Sequence, residues 1–204
     1  MRSSSCLRLL PLILFLSACS DAPKTAEQKQ PPKPVEPLTG RQAFQQMYPQ
    51  ARGWAPDAQP LQISSLNLAQ MKADKGKAGV WQVIFVSLSR GKAKTYTWSA
   101  VEAEGNLHEG VFGGTEEDYT PRGDSSPFAI AAIKVDSDEA YTTAAKESAD
   151  YIKKNPDKPV IFLMELGKRF PDVTWRVIWG DSVGTSDYSV FVDGTTGQYL
   201  ETMH

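Results

Sequence analysis

Residues 180–184, with the sequence GDSVG, match the G-x-S-x-G pattern of a serine nucleophile. In that motif the serine occupies a strained turn between a strand and a helix, with its oxygen exposed beside an oxyanion hole. Here Ser182 is predicted to follow a strand, but a second strand resumes within a few residues. The downstream histidine, His204, would be a poorly fixed general base. Because Gly, Asp and Ser also favour hairpin turns, serine hydrolysis is kept only as an alternative.

The acidic and histidine residues do not form a recognisable metal motif. The carboxylate runs at 116–118 and 136–139 lack the alternating oxygen ligands and the turn glycine of a calcium loop. His108 and His204 are too few and too far apart for a zinc motif. The chain also lacks a P-loop and a dinucleotide-binding fingerprint. The sequence therefore predicts no metal and no cofactor.

The N-terminal segment has the composition of a signal peptide. Arg2 and Arg8 make the first residues basic, and an apolar run follows at 9–16. A run of this length is too short for a transmembrane helix, which needs about 20 apolar residues. We therefore predict that residues 1–18 are a signal peptide and are absent from the mature fold.

The residues Leu16-Ser17-Ala18-Cys19 resemble the bacterial lipobox. The resemblance implies cleavage between Ala18 and Cys19, a diacylglycerol on the Cys19 sulfur, and an acyl chain such as palmitate on its new amino group. Several acyl chains together anchor a protein stably, whereas one chain is marginal. Ser20, which is not aspartate, implies the outer membrane, facing the periplasm or the cell surface. The alternative is a secreted protein with a cysteine near its cleavage site by chance.

Removal of residues 1–18 would also change the cysteine count and the net charge. Cys6 would leave with the signal peptide, so that Cys19 has no partner for an intramolecular disulfide. Lys plus Arg would fall from 22 to 20 with the loss of Arg2 and Arg8, against 24 acidic residues, giving a charge of −4. This charge argues against nucleic acid as a partner, and membrane contact is expected through the lipid.

The rest of the chain divides into a tether and two units. Residues 19–38 contain five prolines and few apolar side chains, so we predict a disordered, Pro-rich tether. An N-terminal α+β unit is predicted over 39–124 and a C-terminal α+β unit over 125–204. Thr39 is predicted to cap the first helix, which ends before Pro49. Strands dense in β-branched and aromatic residues follow, and residues 113–127 are predicted to be a polar loop.

The second unit has the same predicted order of elements. Residues 128–135, FAIAAIKV, are predicted to form a strand. Asp136 or Ser137 then caps a helix that runs through Lys154 and stops at the sequence NPDKP. Four antiparallel strands joined by short turns complete the unit.

The two units also resemble each other in sequence. WQVIF at 81–85 matches WRVIW at 175–179, and the 15 residues from Tyr96 parallel those from Tyr188. Self-similarity of this kind indicates an internal duplication, although any two β-hairpins share some features. Trp81, Trp175 and Trp179 are predicted to fill the space between helix and sheet.

The run at 175–201 resembles the end of a PepSY domain. The family closes with a V-D-x-x-T-G-x-[VLY] hairpin, and the matching residues here are Val192, Asp193, Thr196, Gly197 and Leu200. The resemblance implies two tandem PepSY/cystatin-like units, each a helix on an antiparallel sheet, with residues 39–112 as the degenerate copy. It further implies a non-enzymatic, extracytoplasmic module, and some members of the family occur in propeptides that restrain metalloproteases.

These features together predict a non-enzymatic, lipid-anchored lipoprotein of the cell envelope. We expect it to bind peptides or a protein partner, because exposed sheet edges can accept an extended strand. Two alternatives stay open, namely a serine hydrolase that uses Ser182 and a purely structural envelope component.

Overall fold

The structure is a computed structural model that describes residues 36–121, 123–186 and 188–204. The predicted signal peptide at 1–18, the cleavage between Ala18 and Cys19, and the lipidation of Cys19 lie outside the described residues. The same holds for the tether predicted over 19–38, except for its last three residues. The described part of the chain is an α+β fold with a large antiparallel sheet and few helices, as the sequence predicts.

The described residues form three α-helices, one 3₁₀ turn and ten β-strands. The helices are α1 (Gly40–Trp54), α2 (Ser137–Glu147) and α3 (Ala149–Lys154), with a 3₁₀ turn at Ile130–Ala132. The strands are β1 (Leu38–Thr39), β2 (Gln59–Ser65), β3 (Lys77–Ala78), β4 (Val80–Ser87), β5 (Lys92–Ser99), β6 (Gly110–Asp118), β7 (Val160–Glu165), β8 (Thr174–Trp179), β9 (Tyr188–Asp193) and β10 (Tyr199–Met203). Within the described residues, no helix is both long and apolar enough to span a bilayer.

Eight strands form one antiparallel sheet in the order β10-β9-β8-β7-β2-β4-β5-β6, and β1 pairs separately with β3. Strands β2, β4, β5 and β6, which lie between α1 and α2, form one half of the sheet, and β7 to β10, which follow α2 and α3, form the other. The halves meet where β2 pairs with β7, through Gln62 opposite Glu165 and Ser64 opposite Leu163. Both halves therefore belong to one continuous sheet. The internal duplication of the two halves stays a prediction.

Helix α1 starts as its sequence predicts but is longer. Thr39 caps it, since its Oγ1 accepts a hydrogen bond from Gln42 N, and Gln42 Oε1 accepts one from Thr39 N. The prediction that the helix ends before Pro49 is wrong, because Pro49 lies inside it. Proline removes one backbone hydrogen bond, and the full burial of Met47 and Ala51 on either side stabilises the continued helix.

Helix α2 is capped by Asp136, the first of the two predicted candidates, whose side chain accepts a hydrogen bond from Ser137 N at 2.7 Å. The predicted helix is interrupted at Ser148, which lies between α2 and α3. After this break, Tyr151 of α3 stacks on Tyr188, with the ring centroids 3.9 Å apart. An aromatic contact therefore joins α3 to the sheet.

The connection between β6 and α2 differs from its sequence-based prediction. Residues 128–135 form no strand, and their middle is the 3₁₀ turn. Phe128 N donates to Pro60 O and Val135 N donates to Gly194 O, so the two ends of the segment bond to different parts of the fold. The apolar pattern reflects burial of Phe128 and Val135 rather than pairing in a sheet.

The prediction of a loop over 113–127 is also wrong for its first residues, because β6 continues to Asp118. Its polar residues face basic residues of β5: Asp118 lies opposite Lys92, and Glu116 lies opposite Lys94. The Lys92 ammonium is 2.7 Å from an Asp118 carboxylate oxygen. Opposite charges across a strand pair stabilise the pairing, which explains an acidic strand at an exposed edge.

The main core lies between the helices and one face of the sheet. Trp81 and Trp175 are fully buried there and Trp179 nearly so, which confirms their predicted role. The Trp81 Nε1–H donates to Leu38 O at 2.8 Å, and the Trp175 Nε1–H donates to Val135 O at 3.0 Å. Each indole therefore bonds to the carbonyl that immediately precedes a helix cap.

The N-termini of α1 and α2 are joined by a compact polar junction. Asp136 accepts hydrogen bonds from Thr39 Oγ1 at 2.6 Å and from Arg41 N at 2.9 Å. Ser137 Oγ accepts one from Gly40 N at 2.8 Å. Asp136 thus caps its own helix and also satisfies two donors at the start of the other helix.

Candidate functional site

The GDSVG segment lies in the connection between strands β8 and β9, described here from Gly180 to Ser186. Because strands flank the segment on both sides, it lacks the strand-to-helix turn that exposes a nucleophilic serine. The Ser182 hydroxyl lies 2.7 Å from Thr185 Oγ1 and is half-buried. The segment therefore has the geometry of a hydrogen-bonded loop.

Neither histidine is arranged as a base for Ser182. The His204 ring packs edge-on against Tyr188, with centroids 5.2 Å apart, and His108 Nδ1 is 2.9 Å from Glu102 Oε1. Among the described residues, Ser182 has no hydrogen bond to a histidine. Ser182 borders a cavity of about 200 Å³ that Ile161, Leu163 and Asp181 also line, and among the described residues its hydroxyl pairs with Thr185 and not with the Asp181 carboxylate.

The five residues of the predicted family motif lie in and beside the tight turn between β9 and β10. Asp193 Oδ1 accepts a hydrogen bond from Thr196 N at 2.8 Å, and Gly197 has a positive φ of 75°. Val192 is fully buried, and Leu200 is half-buried in β10. These residues hold the last strand in register, and their polar groups are engaged within the turn.

A groove of about 270 Å³ lies on the sheet face opposite the helices, at one end of strands β7 to β10. Side chains alternate along a strand, so Arg176 points away from the core that buries its neighbours Trp175 and Val177. We call this feature the basic groove; its lining includes Glu165, Lys168, Arg169, Arg176, Phe191 and Met203.

Arg176 lies at the floor of the basic groove and is half-buried. Its Nε donates a hydrogen bond to Ser189 Oγ at 3.0 Å, and its guanidinium lies 5.6 Å from the centroid of the Phe191 ring. Burial lowers the pKa of Arg176 from its usual value, the Glu165 carboxylate raises it, and the Arg169 charge lowers it further. An arginine pKa starts so high that this side chain stays charged at neutral pH.

Arg169 forms one wall of the basic groove. It donates two hydrogen bonds to the Glu201 carboxylate of β10, from Nε at 3.1 Å and from Nη2 at 2.6 Å. Its guanidinium lies 4.8 Å from the Phe191 ring centroid and 5.7 Å from that of Phe170. A bidentate pair over aromatic rings is well defined in geometry, so Arg169 is fixed in place.

Two further charged side chains of the groove have polar partners. The Lys168 ammonium is 3.0 Å from Asp124 Oδ1. Glu165 Oε2 accepts a hydrogen bond from Ser125 Oγ at 2.6 Å. Arg176 differs from Lys168 and Arg169, because it has no ion pair with a described carboxylate.

Sequence reasoning did not identify the basic groove. Its residues come from β7, β8, β9, β10, the loop between β7 and β8, and the connection between β6 and α2, and no local motif links them. One signal was present in the sequence TWRVIW, where Arg176 is charged within an otherwise apolar and aromatic strand. A charged residue at an outward position of such a strand needs a polar environment, which the groove supplies.

The sheet has two free edges, at β6 and β10. Each carries an exposed aromatic residue: Phe112 in β6 is 45% exposed and Tyr199 in β10 is 42% exposed. The β6 edge also carries the acidic residues 116–118, and charges of this kind protect an edge from pairing. In β10 the one acidic side chain, Glu201, is held by Arg169.

No cluster of three or more His, Cys, Asp or Glu side chains suited to a metal ion is present among the residues that the structure describes. The groups that stand out at the candidate site are therefore two guanidinium groups over aromatic rings. Such groups recognise planar anions through paired N–H donors.

Comparison with known proteins shows a likeness to a solved structure. No protein-family model and no curated protein matches the chain. The chain is similar to a crystal structure from Clostridium difficile described as a "putative lipoprotein", with 13% sequence identity and a TM-score of 0.44. The match covers 74% of this chain and 85% of that chain.

Proposed function

We propose that this chain is a non-enzymatic, lipid-anchored lipoprotein of the cell envelope whose folded part binds an extended segment of a peptide or protein partner. The segment adds as a strand to the free edge of β10. Strand addition supplies main-chain hydrogen bonds, and adjacent pockets for side chains give specificity.

The observation that carries the binding proposal is the position of β10. It is an edge strand, and its last residue Met203 also lines the basic groove. A strand added along β10 would therefore pass beside a pocket that can accept a side chain or a chain end. The β6 edge has the acidic run 116–118 and is the less suitable edge.

Site-specific photo-crosslinking in cells tests this proposal with a matched pair of positions. A benzophenone amino acid at Tyr199 is expected to give an adduct with a defined envelope protein. The same amino acid at Phe112, which is similarly exposed on the other edge, is expected to give little. A synthetic peptide from the crosslinked segment should then bind the purified full chain. Equal adducts at both positions, or none, would favour a purely structural component.

The lipid anchor in this proposal is supported by the order of basic, apolar and LSAC segments in residues 1–19. With Ser20 after the cysteine, we propose the outer membrane, facing the periplasm or the cell surface. Cells fed an alkyne analogue of palmitate should label the wild-type chain, and Cys19→Ala should lose the label completely. Cys6→Ala, which removes the other cysteine, should keep it. Label in Cys19→Ala would disprove anchoring at this residue.

The absence of catalysis has its own test. We expect the wild-type chain and Ser182→Ala to hydrolyse p-nitrophenyl esters at the same rate, equal to that of buffer. The reason is that the Ser182 hydroxyl pairs with Thr185 and has no hydrogen bond to a histidine among the described residues. Turnover by the wild-type chain that falls at least 100-fold in Ser182→Ala would establish the hydrolase alternative.

We further propose that the fold arose by duplication of a PepSY-like helix-and-sheet unit. The strand order is symmetric about the β2–β7 junction, so that β4 corresponds to β8 and β5 to β9. Trp81 of β4 and Trp175 of β8 begin the matching sequences WQVIF and WRVIW. Both indoles donate to the carbonyl just before a helix cap, Leu38 O and Val135 O. A repeated tertiary hydrogen bond supports common ancestry more strongly than sequence similarity alone.

A further inference from the structure

We infer that the basic groove is a carboxylate-binding site, in which Arg176 receives a carboxylate of the peptide segment bound along β10. This inference rests on the proposed function and names the chemical group that the site recognises. The carboxylate comes either from an Asp or Glu side chain or from a peptide C-terminus, since both present the same planar anion.

The availability of Arg176 is the first reason. Its Nε is used by Ser189, but its two terminal nitrogens have no hydrogen-bond partner among the described residues. These nitrogens belong to a guanidinium that lines an open groove. A guanidinium with its terminal donors free can form the parallel pair of N–H···O bonds that carboxylates prefer.

The charge balance of the groove is the second reason. Lys168 is neutralised by Asp124, and Arg169 is neutralised by Glu201. The remaining pair is Arg176 and Glu165, and Glu165 is near enough to raise the Arg176 pKa without forming an ion pair. The six named charges sum to zero, so a bound carboxylate adds one negative charge to a neutral set and a phosphate dianion adds two, which favours the monoanion.

The third reason is the rigidity and composition of the surroundings. The Phe191 ring lies beneath both guanidinium groups, and the centroids of the Phe170 and Phe191 rings are 5.3 Å apart. Arg176 is oriented by Ser189 and needs little reorganisation on binding. A charge-assisted hydrogen bond in such a preorganised, partly desolvated position contributes more than one at an exposed site.

The fourth reason is continuity with the strand edge. Met203 of β10 and Phe191 of the adjacent β9 both line the groove. Phe191 lies opposite Glu201 in the β9–β10 ladder, so the groove begins where the free edge ends. Since β9 and β10 separate β8 from a strand added at this edge, a long side chain or the chain end must cross Met203 to bring its carboxylate to Arg176.

A structural role for Arg176 predicts different behaviour. In that case the aliphatic part of Arg176 would cover Phe191, and its charge would balance Glu165. Removing the side chain would then lower the stability of the fold, and it would not selectively weaken the binding of one chemical group of the ligand. The two roles can be separated by a double-mutant cycle between Arg176 and the carboxylate of the ligand, because a structural effect does not couple to a single ligand group.

The test uses the full chain purified in a neutral detergent and a random heptapeptide library. The library is displayed in two formats, one with free C-termini and one with both ends joined to linkers. A free-end preference identifies a C-terminal carboxylate, and a fixed Asp or Glu in the internal format identifies a side chain. Selected sequences are synthesised with the carboxylate and as the matching amide, and binding is measured by calorimetry.

We expect Arg176→Gln to lower the affinity of the chain for the carboxylate peptides by about 10- to 100-fold. This is the effect of losing a charge-assisted pair of hydrogen bonds. The matching amide peptides should bind the wild-type chain as weakly as the carboxylate peptides bind Arg176→Gln. The affinity of Arg176→Gln for the amides should be no lower than that of the wild-type chain. Arg52→Gln, which removes an exposed cation at the end of α1 outside the groove, should change affinity less than two-fold. Thermal melting followed by circular dichroism identifies any variant that fails to fold. If Arg176→Gln fails, Arg176→Lys serves as the second variant, and we expect it to lose an intermediate amount of affinity for the carboxylate peptides.

Two results would overturn the inference while leaving the proposed function intact. One is selection of peptides without a carboxylate, and the other is an equal loss of acid and amide binding in Arg176→Gln. Binding to phosphatidylglycerol vesicles that depends on Arg176, with no carboxylate peptide selected, would assign the groove to lipid headgroups and also overturn it. If neither library format yields a binding peptide, both the inference and the peptide-binding function fail.

Discussion

Replacing Asp136 by alanine is expected to lower the free energy of unfolding by about 2–4 kcal/mol, because one carboxylate that caps α2 and accepts two further hydrogen bonds is lost. The carboxylate caps α2 and accepts hydrogen bonds from Thr39 Oγ1 and Arg41 N at the start of α1. Its removal leaves donors at both helix N-termini without their partner. Urea denaturation followed by far-ultraviolet circular dichroism measures the change.

Asp150→Ala is the matched control for this substitution. Asp150 is also an acidic residue in the first turn of a helix, but it is exposed. Its loss should cost no more than about 0.5–1 kcal/mol through the helix dipole. Asp136→Asn keeps an acceptor oxygen and should recover part of the stability. If Asp136→Ala and Asp150→Ala destabilise equally, the junction does not contribute as described.

Replacing Trp175 by alanine is expected to lower the free energy of unfolding by about 3–5 kcal/mol, as for other large aromatic residues deleted from a core. Trp175 is fully buried and contacts Trp81 edge-on, with ring centroids 6.3 Å apart. A Cβ added to Gly40 would lie 2.8 Å from Trp175 Cη2, which shows how closely α1 packs on this indole. The substitution also leaves Val135 O without its indole donor.

Trp54→Ala is the control for the loss of Trp175. Trp54 ends α1 and is only partly buried, and its Nε1 donates to the Glu116 carboxylate near the surface. We expect its loss to cost less than half of the Trp175 effect, because little cavity forms at the surface. Circular dichroism is the suitable measurement, since both variants change tryptophan fluorescence. An equal effect of the two substitutions would contradict the central position of Trp175.

The starts of the helices could be predicted because their causes are local. Thr39 with Gln42, and Asp136 with Glu139, are capping pairs three residues apart, and both form in the structure. The strands were predictable from β-branched and aromatic residues in short runs. These signals depend on neighbours in the chain, so that one sequence is sufficient to detect them.

The failed predictions have a tertiary cause in each case. Residues 128–135 carry a strand-like apolar pattern, yet Phe128 and Val135 are anchored to separate parts of the fold. Strand β6 reads as a polar loop, yet the basic residues of β5 accommodate its acidic end. Pro49 signals a helix end, yet burial of the residues around it extends α1.

The candidate site could not be predicted as a unit. Arg169 and Arg176 are separated from Glu201 and Met203 by the whole of β9 and its turn. They become neighbours because β7 to β10 pair in one antiparallel meander. The conspicuous GDSVG motif, by contrast, is a loop between two strands, and its serine faces a threonine.

The amino-acid sequence by itself determined the helix caps, the core tryptophans, the α+β class and the prediction of a lipidated Cys19, because each depends on residue type and short-range spacing. The tertiary structure alone decided that both halves share one sheet, that Asp136 joins two helix N-termini, and that two arginines face one groove. These features arise from contacts between residues far apart in the chain, and such contacts leave no periodic or local pattern in a single sequence.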